Sequence, residues 1–139
     1  MSEPETVPSQ PRGDVVIRTI AMPADTNSKG EIFGGWLMSQ MDLGAAVFAG
    51  GIAHGRVTTA AVDGLAFLRP VKVGDVVSCY AQLLGIGRSS MKIRVEVWVR
   101  RHADTSPLQV AEGTFVYVAI DETGKPQPVK RSATPATAG

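Results

Sequence analysis

Cysteine is nearly absent from this sequence. Cys79 stands alone among 139 residues, so neither an internal disulfide nor a cysteine-based zinc site can form. Histidine is almost as scarce: His54 and His102 lie far apart, in no metal-ligand spacing, and no metal centre or bound cofactor is expected. Charge of one sign is lacking too. A net charge of +1 gives the chain no broad basic field for nucleic acid and no acidic field either. Any anion site must therefore be local. The first residues, MSEPETVPSQPRGD, contain no apolar core, so they do not read as a signal peptide, and a cytoplasmic location is expected.

What is present is enough for one domain. The chain is 44% hydrophobic and 19% charged, a balance that supports a conventional core. Six of nine prolines fall at the ends, namely Pro4, Pro8, Pro11, Pro126, Pro128 and Pro135. With the small polar run at 132–139, they predict tails at 1–13 and 125–139 around an ordered body at 14–124. No repeat or low-complexity segment interrupts that body. Residues 15–21 suit a first strand. Residues 32–53 are almost wholly apolar, but Ser39, Gln40, Asp42 and five glycines argue against a membrane span. A buried helix at 34–49, closed by Gly50 and Gly51, fits better. Four further strands are expected at 56–68, 75–84, 90–101 and 108–120. The third is the clearest: Met91, Ile93, Val95, Val97 and Val99 alternate with Lys92, Arg94, Glu96, Trp98 and Arg100. Gly85 to Gly87 predicts a hairpin turn before it. Four consecutive hairpin-like strands after a single helix point to an α+β protein with an antiparallel sheet wrapped around that helix. A helix apolar on nearly every side exceeds the cover of one small sheet, which predicts a partner subunit. Trp98, on the polar side of its strand, is expected at such an oligomer contact.

Asp42 is the sole ionisable residue between Ile32 and Ala53. A carboxylate within an apolar helix needs a partner, water or a chemical role. Gly34 and Gly35 open the same helix, where unpaired N–H groups and the helix dipole favour a developing oxyanion. Gly35 and Asp42 are two turns apart on one face, about 10 Å along the axis. Two antiparallel copies of the helix would bring Asp42 of one chain toward Gly35 of the other, although a single-chain site remains open. Asn27, in the loop before the glycines, either makes a turn or orients a water or carbonyl. One of Thr58 and Thr59 should point inward, where its hydroxyl can hold a water. Arg88, Ser89 and Ser90 place a guanidinium, two hydroxyls and backbone N–H groups at a turn, a set suited to phosphate. Lys72 and Arg56 are candidates for adding positive charge.

Four segments, MPADTNSKGEIFGGWLMSQMD (22–42), HGRVTT (54–59), FLRPVKVGD (67–75) and GRSSMKI (87–93), resemble the YciA-type acyl-CoA thioesterases of the hotdog superfamily. The resemblance spans residues 18–121 and implies a hotdog fold, a five-stranded antiparallel sheet around one long central helix. It implies hydrolysis of acyl-CoA, with coenzyme A as part of substrate and product, and homo-oligomers built as trimers of dimers. By position, it puts the helix carboxylate on Asp42, the oxyanion glycine on Gly35 or Gly34, and the strand threonine on Thr58 or Thr59. It puts the asparagine on Asn27 and the coenzyme A phosphates near Arg88, Ser89 and Ser90. No nucleic-acid or membrane partner is implied. Two rival functions share the fold. An acyl-CoA sensor usually carries an added DNA-binding module, for which this chain has no room. A dehydratase wants a histidine beside the helix acid, and His54 falls beyond the helix end.

Overall fold

The computed structural model describes residues 10–101 and 106–130. The expected tail segments at 1–9 and 131–139, and His102, lie outside the described residues. The order is β1 (Asp14–Ile20), a short 3-10 turn (Pro23–Asp25), α1 (Gly34–Ala53), β2 (Val57–Phe67), β3 (Val76–Ile86), β4 (Ser90–Arg100) and β5 (Leu108–Ala119). The strands form one sheet ordered β1-β3-β4-β5-β2, antiparallel at every pairing. One helix lies against it. This is the hotdog arrangement.

The pairing corrects one expectation. Only β3–β4 and β4–β5 join neighbours in sequence within this half of the chain. β2 does not pair with β3; it crosses to the far edge and pairs with β5, Thr59 opposite Tyr117. Residues 68–75 make the crossing, tied to the rest by Leu68 N–H on the Val110 carbonyl and Ile32 N–H on the Val71 carbonyl. Both edge strands, β1 and β2, thus flank a sheet whose middle is β4.

Alternation on β4 sorts its side chains as expected. Met91, Ile93, Val95, Val97 and Val99 enter the core, joined there by Leu37, Met41, Ala45 and Ala49 from α1. Small residues let the helix sit close. A Cβ on Gly44 would stand 2.7 Å from Cγ2 of Val16 on β1, so packing demands glycine at that position. Cys79 is wholly buried, and burial pushes its thiol pKa up to about 12, which makes it unreactive.

The helix runs past its expected end. Gly50 and Gly51 stay helical, and the stop comes at His54 with φ 54° and ψ 40°. Its N–H and that of Gly55 both reach the Gly50 carbonyl. Glycine lowers helix propensity without forbidding helix, and the following Ile52 and Ala53 pack beneath the sheet. Trp98 is a second correction. It lies on the outer face yet is only 3% exposed, and its indole N–H donates to Glu96 at 3.0 Å within the same chain. The ordered body also runs further than expected. Gln127 N–H bonds the Ala119 carbonyl, Val129 N–H bonds the Arg88 carbonyl, and Val129 is buried. At the other end, Arg12 reaches Glu96.

Part of the helix has no cover. Leu43 is 59% and Val47 75% exposed, on the side away from the sheet. Among the described residues no helix is long and apolar enough to cross a membrane.

Candidate active site

Asp42 sits midway along α1, half-buried. Its Oδ1 accepts two hydrogen bonds, each at 2.7 Å, from the hydroxyls of Thr59 and Tyr117. The Tyr117 oxygen also lies 3.1 Å from the Asp42 main-chain carbonyl. Thr59 and Tyr117 are cross-strand partners in the β2–β5 register, so both project toward the helix from adjacent points. The third oxygen is different. Asp42 Oδ2 accepts no hydrogen bond among the described residues.

Burial, then the bond to Asp42 and its charge, hold the Tyr117 phenol well above its ordinary pKa. Tyr117 is therefore a protonated donor at any working pH. With two neutral donors fixing one oxygen, the carboxylate keeps a defined orientation, and no cation sits on it among the described residues. The arginine partner that a purely structural aspartate would take is missing there.

Asp42 and Thr59 line a pocket of about 370 Å³ with Gly35, Met38, Val62 and Phe115. Gly35 is exposed, and a Cβ on it would meet nothing within 4 Å. The preceding Phe33 offers no side-chain cap, so first-turn N–H groups remain available to a ligand oxygen. Gly34 faces elsewhere: a Cβ there would meet the Phe67 ring at 3.3 Å, and it borders a separate groove with Phe67 and Arg69. A pinned acid, an open helix N-terminus and an apolar wall share one concave surface. That arrangement can seat a polarised carbonyl with an aliphatic group beside it.

The thioesterase superfamily model matches residues 29–105, more than half of the chain. Acyl-CoA thioester hydrolase YciA of Salmonella typhimurium is 54% identical over 128 residues, covering 89% of this chain and 96% of that protein. The chain belongs to the thioesterase superfamily, in its YciA branch. Solved structures agree on the fold. The hexameric thioesterase y2039 from Yersinia pestis superposes with a TM-score of 0.84 at 53% identity, over 88% of this chain and 100% of that one. HI0827, a hexameric broad-specificity acyl-coenzyme A thioesterase, gives 0.82 at 50%, over 88% and 85%.

In this YciA-type chain the remaining candidates fall into two groups. Arg56 and the Arg88–Ser90 turn come together: Ile120 N–H bonds the Arg56 carbonyl, and Ala119 N–H bonds the Ser89 carbonyl. They flank the end of β5, near the end of α1. Neither arginine has an ion pair among the described residues; Arg56 Nη1 donates only to the Glu122 carbonyl at 3.3 Å. The other group is not gathered in. Lys72 lies in the 68–75 crossing, beside the start of α1 and opposite the Arg88 turn. Asn27 Oδ1 is taken by the N–H groups of Lys29 and Glu31, and Asn27 does not line the Asp42 pocket. Thr58, paired with Val118 one step along β2, makes no bond to Asp42.

Tyr117 escaped sequence reading. A signal was available, because residues 111, 113, 115, 117 and 119 alternate inward on β5. A tyrosine there needs a buried acceptor for its hydroxyl, and Asp42 is the acid that the apolar helix offers.

Proposed function

We propose that this YciA-type acyl-CoA thioester hydrolase cleaves its substrate with Asp42 as the reactive carboxylate and Gly35 as the oxyanion donor. The observation that carries the reading is the pinned Asp42: Thr59 and Tyr117 occupy Oδ1, Oδ2 has no hydrogen-bond partner among the described residues, and Asp42 lines the pocket with Gly35. The thioester carbonyl lies against the Gly35 N–H. Oδ2 then takes a proton from an attacking water, or attacks the carbonyl carbon itself and is released by water. Either route ends in a free carboxylate and coenzyme A, whose thiolate leaves without strong acid assistance. A positioned base contributes roughly 10²–10⁴-fold, and one oxyanion donor about 3–4 kcal/mol. Arg88, Ser89, Ser90 and Arg56 hold the phosphates of coenzyme A. They lie near the far end of α1, about 18 Å along the axis from Asp42, a span that an extended pantetheine arm bridges.

We further propose a working unit of two or more chains, with Asp42 of one facing Gly35 of the next. Uncovered Leu43 and Val47 support it, as does the long unpaired edge of β2, which an isolated sheet would leave open to aggregation. The hexameric state of the Yersinia pestis relative and of HI0827 supports it as well. Lys72 and Asn27, remote from Asp42 within one chain, would reach a site from the neighbouring subunit.

The reading is tested by thiol release across short, medium, branched and aromatic acyl-CoAs, followed by mixing of two inactive variants. Asp42→Asn and Gly35→Pro, once shown to fold and to exchange subunits by mass spectrometry, should recover partial activity. Their mixed dimer holds one site free of both defects. Heterodimers that form and stay inactive would place both groups in one chain.

A further inference from the structure

The face of the sheet turned away from α1 carries a second polar cavity, which the proposed reaction leaves unused. Charge accounting around Trp98 isolates it. Glu96 is wholly buried, and its carboxylate accepts from Arg12 at 2.8 Å, Arg94 at 2.9 Å and the Trp98 indole at 3.0 Å. Glu112 accepts from Arg94 at 2.8 Å and from Gln109 at 3.1 Å. Both of these acids are thereby taken up. Arg18 and Arg100 are left with no carboxylate among the described residues.

Those two arginines line one cavity of about 260 Å³, with Ser78, Tyr80 and Trp98. Among the described residues no acidic one lines it. Arg18 is held in place, since Nε donates to Ser78 Oγ at 2.8 Å and Nη2 to the Tyr80 hydroxyl at 3.2 Å. The Arg100 guanidinium makes no hydrogen bond or ion pair among the described residues. A fixed guanidinium and a free one, with a hydroxyl and aromatic walls, form a fork-shaped donor set that matches the oxygens of a phosphate group. At about 260 Å³ the cavity lies just below the range of about 300–1,000 Å³ common for drug-sized ligands, a size that suits a phosphate group with a small attachment.

We propose that this outer cavity is a binding site for a small phosphate-bearing molecule, separated from Asp42 by the thickness of the sheet. Arg18 and Arg100 bind the phosphate, and Trp98 and Tyr80 pack against what it is attached to. Such a site does not depend on which substrate the Asp42 pocket takes.

Inorganic phosphate titrated into the full chain at constant ionic strength tests it, read by calorimetry and by melting temperature against matched chloride. Wild-type protein should bind and be stabilised. Arg100→Gln should weaken binding roughly tenfold or more, the scale of one lost charge-assisted pair, and Arg18→Gln should do the same. Because Arg88 is assigned to the phosphates of coenzyme A, the titration is repeated in an Arg88→Ala background, where the outer cavity should still bind phosphate and Arg100→Gln should still weaken that binding. Arg18 also ties β1 to β3, so its variant can fail to fold; Arg100, whose guanidinium has no partner among the described residues, carries the test in that event. Wild-type protein that does not bind phosphate would overturn the proposal. So would binding that is absent in the Arg88→Ala background, or that survives Arg100→Gln there.

Discussion

A carboxylate sits on each side of the sheet, Asp42 on α1 and Glu96 on β4, and the two are held in opposite ways. On the helix side, Asp42 receives two neutral hydroxyls on one oxygen and, among the described residues, nothing on the other. On the outer side, Glu96 receives two guanidiniums and an indole N–H spread over both oxygens. Neutral donors fix a carboxylate's position without cancelling its charge, and leave lone pairs for chemistry. Arginines cancel the charge and fill the lone pairs, which suits an anchor. The partners of an acid, more than its burial, separate a reagent from a rivet.

The largest expected effect breaks that comparison on the helix side. Asp42→Asn keeps the shape and both hydroxyl contacts but removes the base, so turnover should fall about 10²–10⁴-fold while melting temperature barely moves. Near wild-type thiol release would make Asp42 structural. The outer acid should respond in reverse. Glu96→Ala strands Arg12, Arg94 and Trp98 and should cost about 3–5 kcal/mol of stability, the scale of a broken buried pair, read by urea unfolding. The folded fraction should keep its kcat. A loss of kcat without loss of stability would mean that the outer face takes part in catalysis.

A smaller change sharpens the contrast. Tyr117→Phe removes one of the two bonds on Asp42 Oδ1 at nearly constant volume. It should lower kcat roughly tenfold, about the worth of one hydrogen bond to a charged group, with KM little changed. An unaltered kcat would show that Thr59 alone positions the acid.

The smallest effect is in pH. Burial raises the Glu96 pKa, but bonds from Arg94, Trp98 and Arg12 outweigh it and leave the carboxyl below its ordinary value. A depressed folded-state pKa gives stability that is full above the unfolded value, about 4.3, and lost as pH falls through the folded one. The stability gap between wild type and Glu96→Gln should therefore be constant near neutrality and close in acid. Exposed Asp121, also lowered, by bonds from Thr123 and Lys125, is common to both proteins and cancels in the difference. A gap that widens in acid would contradict the ion-pair account.

Periodicity made much of this fold legible. The apolar alternation on β4 and the long apolar stretch of α1 each have one sensible burial, and their ends fall within a few residues of expectation. Asp42 stood out because an acid inside such a helix must be answered for, and Gly35 and Thr59 lie where that answer was sought. What stayed hidden depends on contacts between distant segments. Nothing local tells β2 to pair with β5 in preference to β3. Trp98 reads as an outward aromatic until Glu96 is seen to be buried beside it. Residues 125–130 have the composition of a tail, yet Val129 is buried and its N–H caps the Arg88 carbonyl. Lys72 and Asn27 were grouped with residues that lie elsewhere in the same chain.

Gly44 and Gly35 share a helix, but a saturation library would separate them. At Gly44 the first added carbon strikes Val16 at 2.7 Å, so selection for folded, soluble protein alone should return glycine. At Gly35 an added carbon finds open space, and the same selection should accept many residues; only a screen for thiol release would recover the glycine. Tolerance measured twice, once for folding and once for turnover, would thus map which glycines this helix keeps for its neighbours and which for its substrate.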